Sequence, residues 1–437
     1  MKLRILAALA GLATMSALAA PTLEEQLEKI RQEADSYEQS EPVFVPGPTS
    51  AAPTAKALNQ STYPIGNNET CWQEPNKIGC FTNMDKVFSM RDVPKGETTL
   101  ALPEAKAQLL RYRYQNADYG AAEFLDHHRI LGLLVLKDGK IVQEHYRYGT
   151  GTTAQFYSAS MAKTVLGMLI GIALDKGVIK SIDDTAERYV PELAGTAYGR
   201  VTIQQLLRMS SGVRMTPFGI PGSDEARFFQ TERGLRPQAV LEFLREVPGG
   251  EFTPGSQFRY MSTDAVVLGY VLTRASGRTV SALCSEWIWQ YIGADQKAQW
   301  RLMKDGVEYG GGDMFATLRD YGRLGILLSQ EGKVGNRQVI PKKWFDLATD
   351  PDEQPWAFKP LNTKAWFGYG FQTWIFPLRT TTFGLRGSWG QTIFVQPRSR
   401  IVMVITSALP DGPNRAEMDE RHALWYGVLK SLDGYTY

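Results

Sequence analysis

The pattern of apolar and polar residues marks two β-hairpins in widely separated parts of the chain. Residues 131–136 and 141–146 are strand-like runs on either side of Asp138-Gly139, a pair typical of a two-residue hairpin turn. Near the C-terminus, residues 392–395 and 401–406 repeat this pattern around a Pro-Arg-Ser-Arg turn. Two hairpins so far apart predict an antiparallel sheet that is closed by distant segments.

Helical patterning dominates the middle of the chain, from residue 160 to about 345. The clearest example is the apolar run 164–174, which polar residues and a glycine close. Helices between strands predict an α+β fold, with the sheet flanked by helices and an inserted, mostly helical region. We expect an α/β part over about 85–175 and 300–437, and a helical part over about 176–299.

The N-terminus has the features of an export signal. Two basic residues precede the apolar stretch 5–15, and Ala17-Leu18-Ala19 fits a small-residue cleavage site. A membrane anchor is the alternative, but the apolar stretch is short and the polar run 24–31 follows it. We therefore expect residues 1–19 to be a signal peptide and the mature protein to be periplasmic or secreted.

Composition sets the organisation of the rest of the chain. Residues 20–62 carry several prolines in a run rich in Ser, Ala and Thr, which is typical of a linker, with partner binding as the alternative. One large domain is then expected over residues 63–437, and the hydrophobic content of 43% permits a large core.

Charge and hydropathy exclude some partners. Once the two basic residues of the signal are subtracted from 48, the chain has 46 basic and 46 acidic residues. This balance gives no electrostatic reason to expect a nucleic acid or an anionic membrane surface. No other stretch reaches the ~18 consecutive apolar residues of a membrane span. A small molecule is the expected partner, and the oligomeric state is left open.

Three cysteines and four histidines bear on cofactors. Cys71 and Cys80 enclose a short polar loop and are expected to pair in an oxidising compartment, with metal binding as the alternative. Cys284 lies in an apolar segment and is expected to be a buried, unreactive thiol. The histidines, among them His127-His128, show no metal-ligand spacing, so no metal or other cofactor is expected.

The strongest chemical signal is the tetrapeptide Ser160-Met161-Ala162-Lys163, at the start of the apolar helical run. No other serine in the chain has a lysine three residues later. Residues three apart share a helix face, so the lysine amine can reach the serine hydroxyl. Unpaired N–H groups of the first turn add an electropositive setting. This arrangement is typical of a Ser-Lys acyl-transfer site, although so short a pattern also arises by chance.

Two further segments carry candidate site residues. Tyr260, with Ser262 two positions later, follows a Pro-Gly turn and precedes the apolar run 265–272, so it is expected on a loop before a helix. Core packing is the alternative for Tyr260. The segment Gly387-Ser388-Trp389-Gly390-Gln391 leads into the strand-like run 392–395, where glycines often mark a close approach of the backbone.

In this order, the three segments resemble the motifs of serine hydrolases of the class C β-lactamase superfamily. That superfamily also holds DD-peptidases, family VIII carboxylesterases and 6-aminohexanoate-dimer hydrolases, and its motifs are SxxK, YxN or YxS, and KTG or HxG. The stretches 201–212 and 310–320 are also similar to superfamily patterns, and the resemblance runs from about residue 85 to the end. It implies a β-lactamase/DD-peptidase-like fold.

The resemblance also implies roles for the residues at the motif positions. Ser160 would be the acylated nucleophile, Lys163 its proton acceptor, and Tyr260 the group that passes the proton to the leaving group. The backbone N–H groups of Ser160 and Gln391 would form the oxyanion hole. Substrate contacts would come from Ser262, Ser388, Trp389 and Gly390.

The third motif departs from the superfamily pattern. Ser388 stands where Lys or His is usual, and Trp389 is bulky where a small residue is usual. Because a lysine there normally helps to hold a substrate carboxylate, its absence argues against β-lactam hydrolysis. If residues 386 and 388 share a strand face, Arg386 is a substitute cation, with solvation as the alternative.

We therefore expect an exported hydrolase of amides or esters, closest in its motifs to the 6-aminohexanoate-dimer hydrolases and carboxylesterases. A DD-peptidase or class C-like β-lactamase is the first alternative. A non-catalytic binding protein on the same fold is the second, and it would be expected to lack the Ser, Lys or Tyr.

Overall fold

The computed structural model of the chain describes residues 63–435, apart from residues 107, 219, 364 and 411–414. The expected signal peptide, 1–19, and linker, 20–62, lie outside the described residues. The described part contains fifteen β-strands: β1 (Met90–Val93), β2 (Arg111–Tyr114), β3 (Ala117–Gly120), β4 (Ile130–Lys137), β5 (Lys140–Tyr146), β6 (Gln155–Tyr157), β7 (Ala298–Arg301), β8 (Met314–Thr317), β9 (Lys333–Val334), β10 (Arg337–Gln338), β11 (Gly368–Tyr369), β12 (Trp374–Ile375), β13 (Phe383–Arg386), β14 (Thr392–Gln396) and β15 (Ile401–Ser407).

Eleven α-helices accompany these strands in the described residues. Several are short, and the longest are those that pack on the large sheet or form the helical region. They are α1 (Lys77–Phe81), α2 (Ala121–His127), α3 (Met161–Asp175), α4 (Ile203–Leu207), α5 (Asp224–Glu232), α6 (Val240–Glu246), α7 (Ser262–Ser276), α8 (Val280–Cys284), α9 (Leu318–Ser329), α10 (Lys342–Thr349) and α11 (Arg415–Ser431). None of the helices in the described part is long and apolar enough to span a membrane.

The main sheet has seven antiparallel strands in the order β11-β12-β13-β14-β15-β4-β5. The C-terminal strand β15 pairs with β4 on one side and with β14 on the other, so the two predicted hairpins meet in the middle of one sheet. The prediction of an α+β fold, in which distant segments close an antiparallel sheet, is confirmed.

Both faces of this sheet are covered, which explains why β4 is apolar along nearly its whole length. Successive side chains of a strand point to opposite faces. Leu133 and Val135 of β4 join the cluster under α11, whereas Leu134 and Leu136 join the larger cluster that α3 and α9 help to form. A strand buried on both faces loses the apolar–polar alternation of a half-exposed strand.

A second sheet of four strands, in the order β1-β7-β8-β6, lies partly within the range that the sequence assigns mainly to helices. Strands β7 and β8 have four residues each, and all four residues of β8 are buried. Such short, fully buried strands carry no period-two signal, and this is why the hydropathy pattern missed them. This sheet leads the chain through β6 to Ser160.

Candidate active site

Ser160 lies at the junction between β6 and α3. It is the N-cap of α3 and is half-buried, while nearly all of the helix behind it is buried. The residue before it, Ala159, has φ 44°, a left-handed conformation that is costly for a residue with a side chain. Ser158 fixes this turn, because its Oγ accepts a hydrogen bond from the N–H of Met314 at 2.8 Å.

Lys163 is one turn further along α3, as the spacing in the sequence predicts. Its Nζ donates to Ser160 Oγ at 2.7 Å and also to the carbonyl oxygen of Gly311. The Lys163 side chain is only 1% exposed. A buried amine therefore lies in direct contact with the candidate nucleophile.

The glycine run 310–312 passes between the Ser160 turn and the start of α7. A Cβ on Gly312 would lie 2.8 Å from the carbonyl oxygen of Ala159, and one on Gly310 would collide with the carbonyl oxygen of Ala265. Only glycine therefore allows the backbone to pass here and to offer the Gly311 carbonyl to Lys163. The superfamily resemblance included this run, but its contact with the lysine could not be read from the sequence.

Tyr260 lies on the loop before α7, as the sequence predicts, and its ring reaches Lys163. The Lys163 Nζ is 5.0 Å from the centroid of the Tyr260 ring. The indole of Trp374 also stacks on this ring, at 5.4 Å between centroids and 25° between planes. Trp374 was not predicted as a site residue, because nothing in its local sequence pattern distinguishes it from a core aromatic residue.

The loop that carries Tyr260 is pinned to the end of α4. The backbone N–H of Arg259 donates to the carbonyl oxygen of Met209 at 2.8 Å, and that of Met261 donates to Met209 Sδ at 3.4 Å. Ser262 is the first residue of α7 and is half-buried. The helix extends to Ser276, beyond the apolar run 265–272, and ends at Gly277 in a left-handed conformation with φ 64°.

A buried carboxylate supports this loop from the first turn of α7. Asp264 is fully buried and accepts hydrogen bonds from Ser211 Oγ at 2.7 Å and from the Tyr198 hydroxyl at 2.9 Å. Burial raises the pKa of Asp264 to about 7, and the hydrogen bonds from Ser211 and Tyr198 only partly oppose this. Asp264 was not among the site residues predicted from the sequence.

The third motif forms a turn, residues 387–391, between β13 and β14. Gly387 packs against the turn that carries Ser160. The approach is so close that a Cβ on Gly387 would lie 3.0 Å from the backbone nitrogen of Ser160. The Gly387 N–H donates to the carbonyl oxygen of Gln391 at 2.9 Å and closes the turn. Ser388 is exposed and Gly390 is buried. The turn thus lies beside the N–H of Ser160.

The strand face that Arg386 was expected to share with Ser388 is not formed. Strand β13 ends at Arg386 and Ser388 begins a 3₁₀ turn, so the two residues do not share a strand face. Arg386 is half-buried, and its guanidinium packs against aromatic rings. Its carbon lies 4.2 Å from the ring centroid of Phe367 and 5.2 Å from that of Trp374. The guanidinium therefore packs against the same indole that stacks on Tyr260.

The remaining candidates lie away from Ser160 in sequence. Cys71 and Cys80 are joined in a disulfide, and Cys284 is a buried free thiol, as expected. His127 Nδ1 and His128 Nε2 contact the two carboxylate oxygens of Glu420 at 2.7 and 2.8 Å. Within the described residues there is no group of three or more His, Cys, Asp and Glu side chains that could hold a metal ion.

The comparison with known proteins defines the class. A family model described as Beta-lactamase matches residues 120–425, which is well over half of the chain, so the chain belongs to this family. A 6-aminohexanoate-dimer hydrolase from Paenarthrobacter ureafaciens is 25% identical over 379 residues, covering 83% of this chain and 91% of that protein.

Two solved structures are similar to the chain at the level of the fold. A Bacillus anthracis protein provisionally named a 6-aminohexanoate-dimer hydrolase has a TM-score of 0.77 at 21% identity, covering 87% of this chain and all of that one. A family VIII carboxylesterase has a TM-score of 0.51 at 18% identity, covering 70% of this chain and 95% of that one. The protein is a serine hydrolase of the group that includes amidases and esterases.

Proposed function

We propose that the protein is an exported Ser-Lys-Tyr hydrolase that cleaves an amide or ester bond through an acyl-serine intermediate. The observation that carries this proposal is the 2.7 Å contact between Lys163 Nζ and Ser160 Oγ at the start of a buried helix. The Tyr260 ring beside the same amine and the third-motif turn beside the Ser160 nitrogen support it.

In the acylation step, Ser160 Oγ attacks the substrate carbonyl carbon and its proton passes to the amine form of Lys163. Tyr260 then delivers its hydroxyl proton to the leaving amine or alcohol as the C–N or C–O bond breaks, and the Lys163 ammonium passes the proton taken from Ser160 to the Tyr260 oxygen. Water attacks the resulting ester, the bond from the acyl carbon to Ser160 Oγ breaks, and a proton of that water passes to Ser160 Oγ. Only groups of the protein and one water are needed, so the step requires no cofactor.

The backbone N–H groups of Ser160 and Gln391 are proposed as the oxyanion hole. Support comes from the position of the turn 387–391, whose first residue packs against the Ser160 nitrogen. Donors in such a site stabilise the charge that develops on the carbonyl oxygen, and losing one typically costs ~10²–10³ in rate.

The substrate is proposed to be a small amide or ester without a carboxylate that must be clamped. Ser388 places a neutral, exposed hydroxyl at the position where the superfamily usually has a cation. Ser262, Ser388, Trp389 and Gly390 are the proposed substrate contacts. Because a relative is a 6-aminohexanoate-dimer hydrolase, the first amide to assay is the dimer of 6-aminohexanoate, whose carboxylate lies at the far end of a methylene chain from the amide bond.

A DD-peptidase or class C-like β-lactamase is the second candidate. The contact between Tyr260 and Lys163 favours it, since the superfamily resemblance assigns these two residues the same proton transfers. The neutral Ser388 opposes it, because β-lactams and cell-wall peptides carry a carboxylate that a cation would hold.

Export is also part of the proposal. The disulfide between Cys71 and Cys80 supports it, because disulfides persist mainly in oxidising compartments. Expression of the full chain in a Gram-negative host followed by fractionation should give a periplasmic product whose N-terminus is Ala20. An uncleaved protein in the cytoplasm would contradict this.

Assays of p-nitrophenyl esters and of the 6-aminohexanoate dimer test the activity. The unmodified protein should hydrolyse at least one of them, and Ser160→Ala and Lys163→Ala should each lower kcat by several orders of magnitude. Ser281→Ala is a control, because Ser281 is a buried serine whose contact with Glu308 is made by its backbone N–H, which the substitution keeps. Equal turnover by the Ser160→Ala protein would contradict the proposal.

A further inference from the structure

The third-motif turn has an unfavourable backbone conformation at its centre. Trp389 has φ 56° and ψ 28°, and the next residue, Gly390, has φ 88°. For a residue other than glycine, a left-handed conformation is unfavourable, because the Cβ approaches the following carbonyl oxygen. Such a residue persists only where its surroundings hold it, and strained residues of this kind cluster at functional sites.

Ser407, the last residue of β15, holds the Trp389 backbone. Its Oγ donates a hydrogen bond to the Trp389 carbonyl oxygen, and the residue is fully buried. The pairing of β15 with β4 shifts register between Thr406 and Ser407. Irregularities of this kind turn a side chain away from its regular direction and are common beside active sites. Here the Ser407 hydroxyl reaches the turn.

Ser407 also holds the residue on the other side of Gly390. Its N–H donates to Gln391 Oε1 at 3.1 Å, and its carbonyl oxygen accepts from Gln391 Nε2 at 2.6 Å. The Gln391 side chain is only 1% exposed. Trp389 and Gln391 are thus both bound to one residue, and a Cβ on Gly390 would collide with Ser407 Oγ.

The indole side of Trp389 is held as well. Its ring packs against Phe81 at 5.4 Å and Tyr157 at 6.4 Å between centroids. Phe81 follows Cys80 of the disulfide, and Tyr157 ends the strand that leads to Ser160. The side chain is thereby fixed relative to the nucleophile, while the backbone is fixed relative to β15.

We propose that Ser407 is a positioning residue of the oxyanion hole, which it serves by holding Trp389 and Gln391 so that the Gln391 N–H points to the substrate oxygen. This inference rests on the proposed function, in which that N–H is an oxyanion donor. Oxyanion donors act at 2.7–3.1 Å from the developing charge, so a small displacement of the turn is enough to lose the interaction.

The test is Ser407→Ala, assayed with a matched pair of substrates, a p-nitrophenyl ester and its thionoester. We expect kcat for the ester to fall about tenfold or more, a part of the ~10²–10³ for a whole donor, with little change in KM. Sulfur is a weak hydrogen-bond acceptor, so the thionoester draws less on the oxyanion hole. The variant should therefore lose less activity on the thionoester, and the preference for the ester should shrink.

Ser399→Ala is the matched control. Ser399 is 6% exposed and its Oγ donates to Gln396 Oε1 at 2.6 Å, near the other end of the same hairpin. The Ser399→Ala substitution removes a comparable buried hydrogen bond without changing a contact of the turn 387–391. We expect a similar loss of stability from both variants and unchanged kcat and substrate preference from Ser399→Ala alone.

A double-mutant cycle with Gly390→Ala adds a second readout. The new Cβ collides with Ser407 Oγ, so Gly390→Ala should lower kcat less when Ser407 is already alanine. Wild-type kcat in the Ser407→Ala protein, or equal losses on both substrates, would overturn the proposal for Ser407 alone. An unmodified protein without Ser160-dependent turnover would contradict the proposed function, and this inference with it.

Discussion

Lys163 contacts Ser160, the Tyr260 ring lies beside Lys163, and the positions of these two side chains depend on different interactions. Lys163 belongs to the same helix, so local spacing alone fixes its distance from the serine. Tyr260 belongs to a distant loop and depends on tertiary packing against Trp374. The tyrosine is therefore the member of the site whose role most needs a direct test.

Tyr260→Phe should separate proton transfer from packing, since it keeps the ring that stacks on Trp374 and removes only the hydroxyl. A general acid–base group typically contributes ~10²–10⁴ in rate, so kcat should fall by that order while the melting temperature barely moves. Tyr369→Phe is the matched control, because Tyr369 contacts the Tyr260 ring at 6.2 Å and is buried. A stable Tyr260→Phe protein with normal kcat would return Tyr260 to the core.

Asp264 makes stability depend on pH. Its pKa is about 7 in the folded protein and near ~3.9 in an unfolded chain, so the folded state keeps the proton longer. Stability from this group is full below pH ~4 and is lost as pH rises to about 7. Each pKa unit corresponds to about 1.4 kcal/mol, so the total is at most roughly 4 kcal/mol.

Asp264→Asn should remove this dependence while Ser211 and Tyr198 keep an oxygen acceptor. Urea unfolding at a series of pH values between 4 and 8 measures the difference between variant and wild type. We expect the variant to gain in relative stability as pH rises from 4 to 7 and to show no further gain above that. A difference that stays constant with pH would show that Asp264 does not carry a raised pKa.

At the scale of elements, the sequence was informative where a contact is local and silent where it joins distant segments. The two hairpins and the helix start at Ser160 follow from periodicity and turn residues, and the structure has all three. Gly311 and Trp374 act through pairs of elements that are far apart in the chain, and Ser407 acts across the β14–β15 hairpin from the end of β15, beyond the strand-like run 401–406. A single sequence gives no periodic signal for such contacts, and for that reason none of the three was predicted.

The disulfide joins Cys71 to Cys80, which lies in helix α1 directly before Phe81. Cys71 and Cys80 are both fully buried, and closing so short a loop is worth roughly 2–3 kcal/mol. Titration of the denatured, unreduced mature protein should find one free thiol, that of Cys284. The Cys71→Ala/Cys80→Ala protein should be less stable by about that amount in urea unfolding. Three free thiols in the unmodified protein would contradict the bridge and weaken the argument for export.

At the scale of the whole molecule, the order of the three motifs carried more information than any single pattern. The motifs indicated the superfamily, and the match to the Beta-lactamase family confirms it. The second sheet escaped prediction because its strands are short and buried. The proposed choice between an amidase or esterase and a β-lactamase rests on Ser388, a neutral side chain at the position where the superfamily usually has a cation.

This replacement predicts which substrates the protein prefers. A charge-assisted hydrogen bond is worth roughly 1.5–3 kcal/mol, so without the cation β-lactams should lose one to two decades in kcat/KM. Short acyl p-nitrophenyl esters should therefore be preferred over nitrocefin, and Ser388→Lys should raise nitrocefin turnover. Ser388→Met is the control, because a methionine side chain is similar in length to that of lysine but carries no charge. Comparable kcat/KM values for nitrocefin and p-nitrophenyl butyrate would favour the β-lactamase alternative.

The central claim is that Ser160 is the residue that becomes acylated, and fluorophosphonate labelling followed by mass spectrometry tests it most directly. If Ser160 is the nucleophile, we expect a single adduct on the intact protein, located on the peptide that contains Ser160. We also expect slower labelling of the Lys163→Ala protein and no labelling of the Ser160→Ala protein. An adduct on another residue, or labelling of the Ser160→Ala protein at the wild-type rate, would contradict the account.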